Sequence, residues 1–267
     1  MPAEFVDLTG RVSIVTGGAH GIGAATALEL ARAGSAVALF DLDGDEASHA
    51  AAGIEAETGV TARGYAVDVR KSELVKQMCD AVAEDFGSLD HLINNAGVQH
   101  VAPLPEFPDT LWDDVIAVNL DGVFYATKAA WPHMVARNRG RIVNMASVHG
   151  IVASPYKPAY VAAKHAVVGF TRAAALEGAH HGITVNAVCP GAVMTDLVRA
   201  QAPYLVRTYG GDISEDEALE RAFLDAMPSK TFIDPQEVAQ LCAYLCSDAA
   251  RSITGAPISI DGGWAAH

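Results

Sequence analysis

Positive charge is scarce in this sequence. Its 18 lysine and arginine residues stand against 32 aspartates and glutamates, which gives a formal net charge of −14. Nucleic acids are bound through basic surfaces, because each phosphate carries a negative charge. The balance therefore argues against a nucleic acid as a partner, although it leaves open the capture of a small anion in a local pocket.

Cysteine is also sparse, and long apolar runs are missing. The four cysteines, Cys79, Cys189, Cys242 and Cys246, form no C-x-x-C pair, so we expect buried thiols and no metal site. No run approaches the roughly eighteen apolar residues of a membrane helix. The N-terminus lacks the charged-then-apolar pattern of a signal peptide. We therefore expect a cytoplasmic protein that does not enter the membrane.

Short apolar runs alternate with helical patterns along the whole chain. Hydrophobic residues make up 51% of the 267 residues and charged residues 19%, which is typical of one globular domain, here residues 1–267. The predicted strands are 12–17, 36–41, 62–69, 89–97, 141–147, 183–191 and 256–263. The predicted helices are 21–34, 43–58, 72–86, 110–137, 157–181 and 234–247. This order predicts an α/β fold, a Rossmann-type doubly wound and mainly parallel sheet of about seven strands. The more polar residues, about 194–228, are expected to form a helical substrate lid.

A glycine-rich motif follows the first predicted strand. Residues 16–23 read TGGAHGIG, and Gly17, Gly21 and Gly23 allow a tight turn that brings the backbone close to a pyrophosphate at the start of a helix. Asp41 ends the second strand, where a carboxylate can hold the ribose hydroxyls of adenosine. The same charge repels a 2′-phosphate, and no basic residue follows it in FDLDGDE. NAD is therefore expected in preference to NADP.

A tyrosine and a lysine stand four positions apart in a helical pattern. Tyr160 and Lys164 then lie one turn apart on one face. We expect the ammonium to lower the pKa of the phenol, which is ordinarily about 10. Ser147, thirteen positions earlier, supplies a hydroxyl for a substrate oxygen. The three suit general acid–base chemistry on an alcohol or a carbonyl, although a Tyr/Lys pair alone is common on helices.

Taken together, these motifs resemble the short-chain dehydrogenase/reductase family in its single-domain form, from about residue 11 to residue 263. The landmarks in chain order are residues 16–23, NNAG at 94–97, Asn119, Ser147, Tyr160, Lys164 and Pro-Gly at 190–191. The resemblance implies an NAD-dependent oxidoreductase with Tyr160 as acid and base. It also implies that Lys164 holds the nicotinamide ribose and that Asn119 supports a proton-relay water. The alternative for Asn119 is a polar residue that stabilises its helix.

The resemblance further implies a set of residues around NAD and an assembly. Asp68 and Val69 are expected beside the adenine, and Thr195 at the nicotinamide amide. The expected cofactor residues are Thr16, Gly17, His20, Gly21, Ile22, Gly23, Asp41, Asp68, Val69, Asn95, Ala96, Gly97, Tyr160, Lys164, Pro190, Gly191, Val193 and Thr195. Members of this family commonly form tetramers through the long helices after strands four and five and through the last strand, so we expect a homotetramer.

Four polar residues narrow the expected substrate to a small carboxylate. Gln99, His149, Lys157 and Gln201 offer several hydrogen-bond donors with at least one positive charge. They resemble the residues that bind the carboxylate in family members that interconvert (R)-3-hydroxybutyrate and acetoacetate. The expected substrate residues are Gln99, Ser147, His149, Lys157, Tyr160, Gln201 and Trp264. The alternatives are a solvated lysine, glutamines bound to backbone and a surface tryptophan.

One position departs from that pattern. Ala192 stands where those members carry a tryptophan against the substrate's methyl group, which suggests room for a longer 3-hydroxyacid. A neutral secondary alcohol such as a sugar, a polyol or a steroid is the alternative substrate within the family. A dinucleotide-sensing binding module is the alternative without catalysis. The intact set of Ser147, Tyr160 and Lys164 argues against that module.

Overall fold

In the computed structural model, which describes residues 6–210 and 212–266, seven strands form one parallel sheet. The strands are β1 Val12–Thr16, β2 Ala36–Asp41, β3 Ala62–Ala66, β4 His91–Asn94, β5 Gly140–Met145, β6 Ile183–Pro190 and β7 Pro257–Ile260. Their order in the sheet is β3-β2-β1-β4-β5-β6-β7, and every neighbouring pair is parallel. The predicted doubly wound α/β fold is confirmed. Because the order reverses between β1 and β4, a crevice opens there at the carboxyl ends of the strands.

Helices cover both faces of the sheet, and this explains the apolar composition of the strands. The helices are α1 Gly21–Arg32, α2 Gly44–Thr58, α3 Ser72–Phe86, α4 Asp109–Ile116, α5 Gly122–Ala136, α6 Pro158–Gly178, α7 Asp196–Arg199, α8 Ala202–Tyr209, α9 Glu215–Phe223 and α10 Pro235–Cys246. On one face, α1 packs against α10, and elsewhere α3 packs against α5. All residues of β1, β5 and β6 are buried, as expected for strands covered on both sides.

The helix predicted over 110–137 is divided in the structure. After α4, the backbone widens into a π-helical turn, Ala117–Asp121, before α5 begins. Asn119 lies in this turn, and its side-chain amide donates to the carbonyls of Val115 (3.0 Å) and Val98 (2.7 Å). Its Oδ1 accepts from the Val98 amide at 3.2 Å. Contacts of a side chain with a neighbouring loop are a usual cause of such a bulge, and periodicity does not reveal them.

The lid segment, residues 194–228, contains α7, α8 and α9. A capping box opens α9, in which the Ser214 hydroxyl accepts from the Glu217 amide and the Glu217 carboxylate accepts from the Ser214 amide. Phe223 and Met227 are buried in the same apolar cluster as Ala192. Residues 1–5, 211 and 267 of the predicted domain, including Gly211 of the lid segment, lie outside the described residues.

Two further sequence-based expectations concern the cysteines and the helices. All four cysteines are buried free thiols, as predicted. Within residues 6–210 and 212–266, no helix has the length and apolar character needed to cross a membrane. The same residues bring together no group of three or more His, Cys, Asp or Glu side chains that could hold a metal ion.

Candidate active site

A cleft of about 440 Å³ lies at the carboxyl ends of the strands. Loops after β1 to β6 form its walls, as the reversal of strand order predicts. Every expected cofactor residue lines this cleft except Thr16 and Gly23, and Ser147 lines it as well. The structure therefore brings together residues that are up to about 180 positions apart in the chain.

Thr16 and Gly23 lie behind the cleft and shape it. The Thr16 hydroxyl accepts hydrogen bonds from the amides of Asn95 and Ala96, both at 3.0 Å. A Cβ on Gly23 would overlap the carbonyl oxygen of Gly17, so only glycine fits there. Thr16 and Gly23 therefore support the NNAG loop and the glycine loop, and their expected contact with the cofactor stays a prediction.

The start of α1 fits a pyrophosphate. Gly21 opens the helix with a φ of +52°, a conformation that glycine adopts without strain. Among the described residues, the side chain of His20 forms no capping hydrogen bond to this helix, and its first turn holds no acidic residue. The free amides of a first helical turn bind anions. The cleft at Gly21 and Ile22 therefore suits the phosphates of a dinucleotide.

Asp41 is fixed between the end of β2 and the glycine loop. Its carboxylate accepts from the amides of Ala19 (3.0 Å) and Leu42 (2.8 Å). The side chain lines the cleft, where an acceptor pair can hold vicinal hydroxyls. A second acidic side chain, Glu46, lies 4.0 Å from the His20 ring, so this end of the cleft is rich in negative charge.

Ser147, Tyr160 and Lys164 meet on one wall of the cleft. Ser147 follows β5, and Pro158 at the first position of α6 presets the helix that carries the other two. The Lys164 ammonium donates to the carbonyl of Met145 at 2.7 Å and lies 5.5 Å from the centre of the Tyr160 ring. These three side chains are buried, as is the fourth catalytic candidate, Asn119.

Burial decides the acidity of these groups. It raises the pKa of Tyr160 to about 12, against a smaller opposing effect of a hydrogen bond with Ser147. It lowers the pKa of Lys164 to about 8. The expected direction of the Tyr160 pKa, a decrease caused by Lys164, is therefore wrong for this structure, because burial removes the phenolate from water and raises the pKa. At neutral pH this pKa leaves the phenol protonated, which is the form that donates to a ketone oxygen.

Asn119 lies behind Gly97, between the cleft and α4. A Cβ on Gly97 would stand 2.7 Å from the Asn119 Oδ1 and 3.8 Å from the Lys164 ammonium. Both amide protons of Asn119 are used by the backbone of Val98 and Val115. These bonds are those of a polar residue that stabilises its helix, which was the alternative interpretation of Asn119. Its role in supporting a proton-relay water stays a prediction.

Among the expected substrate residues, Ser147 and Tyr160 line the cleft, whereas Gln99, His149, Lys157, Gln201 and Trp264 do not. His149 and Trp264 pack nearby. The His149 ring centre lies 6.2 Å from that of Tyr160 and 5.4 Å from that of Trp264. The Lys157 ammonium lies 4.8 Å from the centre of the Phe223 ring in the lid segment. Burial lowers the pKa of His149 to about 3, and the charge of Lys157 contributes, so the imidazole is neutral. Burial also lowers the pKa of Lys157 to about 8.

Two buried polar atoms of the expected substrate residues have no hydrogen-bond partner within the described part of the chain. They are Nε2 of Gln99 and Nδ1 of His149. Such atoms are costly unless a water or a ligand completes them. Gln201 differs, because its amide donates to the Leu197 carbonyl at 3.0 Å and is used within the lid segment.

Sequence reasoning missed an ion pair on the cofactor side. Arg70 bonds both carboxylate oxygens of Asp68, at 2.8 and 2.9 Å, and one oxygen of Asp114 at 2.6 Å. All three line the cleft, and the bonds from Arg70 hold the pKa of Asp68 below its usual value. The pair of Arg70 with Asp68 has a local signal in the sequence, the string DVRK. The pair of Arg70 with Asp114 depends on the position of α4.

Comparison with known proteins agrees with this geometry. Residues 11–204 match the family model described as short chain dehydrogenase. The chain is 42% identical to D-beta-hydroxybutyrate dehydrogenase of Rhizobium meliloti strain 1021, covering 96% of this chain and 99% of that protein. It is 41% identical to D-beta-hydroxybutyrate dehydrogenase of Cupriavidus necator, covering 97% and 100%. The crystal structure of a single-substitution variant of actinorhodin polyketide ketoreductase with NADPH superposes with a TM-score of 0.91, at 36% identity, covering 96% and 98%.

Proposed function

Because this chain belongs to the short-chain dehydrogenase/reductase family, we propose that it is an NAD-dependent dehydrogenase that interconverts (R)-3-hydroxybutyrate and acetoacetate. One observation carries the choice of substrate class: the buried His149 packs against Tyr160, and Lys157 lies close enough to His149 for its charge to lower the pKa of the imidazole. A hydroxyacid has an oxygen that reacts and a carboxylate that can be held apart from it. The names of the two hydroxybutyrate dehydrogenases support this assignment.

The chain's own residues handle the reacting oxygen and its proton. Ser147 lies close enough to Tyr160 to lower the pKa of its phenol, and the substrate oxygen is proposed to bind between them. In ketone reduction, Tyr160 donates its proton to that oxygen. In alcohol oxidation, the phenolate takes the proton back, and Lys164 stabilises its charge. When bound, NAD⁺ supplies the hydride acceptor and a positive charge beside this group.

At the other end of the substrate, Lys157 is proposed to bind the carboxylate. The partnerless Nε2 of Gln99 is a donor that a carboxylate oxygen completes. The neutral His149 offers one further donor in the tautomer that protonates Nδ1. We propose that Gln201 joins them when the lid segment rearranges and that Trp264 closes the pocket. Holding the remote end orients C3, so that binding energy is used for positioning.

We propose NAD rather than NADP on the basis of Asp41. This carboxylate lines the cleft at the end of β2, where we propose that the adenosine ribose binds, and Glu46, beside His20, adds negative charge. A 2′-phosphate would meet both charges. Arg70, a cation that lines the cleft, is already bound to Asp68 and Asp114. The ketoreductase that holds NADPH is a relative of the same fold, so the preference rests on this chain's own residues.

The assignment is tested with a substrate panel. Purified protein is mixed with NAD⁺ or NADP⁺ and with (R)- or (S)-3-hydroxybutyrate, a sugar, a polyol or a steroid, and NADH or NADPH formation is followed by absorbance. We expect turnover with NAD⁺ and the R acid. Turnover only with the sugar, the polyol or the steroid would show that the substrate is a neutral secondary alcohol. Cofactor binding without any turnover would favour the dinucleotide-sensing module.

We also propose that a longer 3-hydroxyacid is accepted. Ala192, in the place of a tryptophan in the family's hydroxybutyrate enzymes, is buried beneath the lid segment with Phe223 and Met227. The smaller side chain leaves the methyl end of the substrate to side chains of the lid segment. Measurable turnover of (R)-3-hydroxyvalerate, compared with (R)-3-hydroxybutyrate, is the expected result. Activity on the shorter acid alone would refute this.

Finally, we propose a cytoplasmic homotetramer that acts in ketone body metabolism. Phe124 on α5 and Leu176 on α6 expose 44% and 80% of their surface, on the helices that the family uses for assembly. Their exposure supports a protein interface there. Light scattering of the purified protein tests the stoichiometry, and a monomer at micromolar concentration would contradict it.

A further inference from the structure

Arg70 forms a bridge across one end of the cleft. Its Nε and Nη2 donate to the two oxygens of Asp68, and its Nη1 donates to Asp114 of α4. The Arg70 backbone amide donates to Asp68 as well, at 3.0 Å. The guanidinium is planar and rigid, so a two-point contact fixes the orientation of the carboxylate plane as well as its position.

The surroundings of this bridge suit an amino-bearing purine. Val67 and Val69 flank Asp68 in the loop after β3 and are buried, and the exposed Leu42 also lines the cleft. An apolar slot accepts the faces of a base. The Asp68 carboxylate offers an acceptor at the edge of that slot, which selects a base that donates from an exocyclic amine.

Arg70 also neutralises part of the negative charge at this end of the cleft. Asp41, Asp68 and Asp114 all line it, and three carboxylates together would repel the phosphates of a dinucleotide. Arg70 pairs with two of them. It is 36% exposed, while Asp68 is 18% exposed, so the inner pair is the better protected from water and salt.

We propose that Arg70 is a positioning residue for cofactor recognition. It holds the Asp68 carboxylate so that an oxygen faces the adenine amine, and Asp114 anchors it to α4. This inference rests on the proposed binding of NAD in the cleft. Arg70 acts through Asp68, and its loss therefore affects the recognition of the amine more than the chemistry at the other end.

The test compares NAD⁺ with nicotinamide hypoxanthine dinucleotide, in which a carbonyl replaces the adenine amine. Dissociation constants are measured by calorimetry without substrate. The wild-type protein is expected to bind the analogue about tenfold more weakly, the usual effect of one hydrogen bond to a charged group. Arg70→Met is expected to weaken NAD⁺ binding and to reduce the discrimination below about threefold.

Matched variants separate positioning from stability. Arg70→Lys keeps the charge but not the two-point contact, and Asp114→Asn loosens the anchor, so both should give intermediate discrimination. Arg63→Met is the control, because it removes a comparable exposed ion pair, that of Arg63 on β3 with Asp85 at 2.8 Å. The ratio of the dissociation constants for the two dinucleotides should keep its wild-type value in this variant. Thermal unfolding is recorded for each protein.

Two results would overturn the inference. One is full discrimination in Arg70→Met. The other is that Arg70→Met and Arg70→Lys weaken the binding of both dinucleotides equally. Arg70 would then have only a structural role. A wild-type protein that binds neither dinucleotide would instead refute the proposed function, and with it this inference, so the two failures are distinguishable.

Discussion

The ammonium of Lys157 lies 4.8 Å from the centre of the Phe223 ring. Lys157 comes directly before α6, which carries Tyr160, and Phe223 ends α9 in the lid segment. The contact therefore connects the proposed carboxylate-binding group with the element that covers it. A lysine on an aromatic face is partly removed from water, and burial lowers its pKa to about 8.

This pKa predicts a pH dependence of substrate binding. Lys157 is charged below about pH 8 and loses its proton above it, so the attraction for a carboxylate weakens as the pH rises. The ratio of kcat/KM for (R)-3-hydroxybutyrate to that for 2-butanol should fall above this pH. Using a ratio removes the effect of Tyr160, which both substrates share. A ratio that stays constant to pH 10 would contradict the role of Lys157.

Tyr160→Phe removes the proton donor and leaves the ring in place. We expect kcat to fall by about 10²–10⁴-fold, the usual contribution of a general acid or base. The dissociation constant of NAD⁺ should change less than about threefold, because the lost hydroxyl faces the substrate oxygen. Tyr156→Phe, at a residue that is 45% exposed, is the control. Near-wild-type turnover in Tyr160→Phe would reject the assignment.

Asp41→Ala tests the choice of cofactor. Removing a carboxylate that faces the ribose should raise KM for NAD⁺ and narrow the preference over NADP⁺ by about tenfold to a hundredfold, because like charges cost several kcal/mol at a binding site. Asp45→Ala, at an exposed neighbour on α2, is the control. An unchanged preference, measured as the ratio of kcat/KM values, would place the discrimination elsewhere.

Asn119→Ala should destabilise the protein. The change leaves the backbone groups of Val98 and Val115 without their partners, at a cost of about 1–3 kcal/mol for buried polar groups. We expect Tm to fall by several degrees in calorimetry. Thr110→Ala on the exposed start of α4 should leave it nearly unchanged. An unaltered Tm in Asn119→Ala would remove the structural explanation of the π-helical turn.

Much of the fold could be predicted because its signals are local. The mainly apolar runs of β1 and β6 predict a sheet covered on both faces, and both strands are fully buried. Their alternation with helices predicts a parallel sheet. The π-helical turn was not predicted from the sequence, because it depends on the hydrogen bond of Asn119 with Val98, which lies 21 positions away in the chain. Such a contact exists only after the loop and the helix have packed.

In the candidate site, too, some features have local sequence signals, and others depend on contacts that form only in the folded protein. Chain order placed Ser147, Tyr160 and Lys164 at one crevice, since the carboxyl ends of parallel strands meet there. The acidity of Tyr160 could not be predicted, because it depends on how completely the folded protein removes the phenol from water. The bond of Arg70 with Asp114, which are 44 positions apart, likewise depends on where α4 lies.

The central claim, a phenol at one end of the substrate and a lysine at the other, is tested most directly by Lys157→Met. The measurement is the ratio of kcat/KM for (R)-3-hydroxybutyrate to that for 2-butanol. Lys128→Met is the control, since Lys128 also lies over a phenylalanine, at 5.7 Å, but on α5. We predict that the ratio falls at least about tenfold in Lys157→Met, as expected for the loss of a charged hydrogen bond, and stays constant in the control. A wild-type protein that prefers 2-butanol, or a ratio that Lys157→Met leaves unchanged, would contradict the claim.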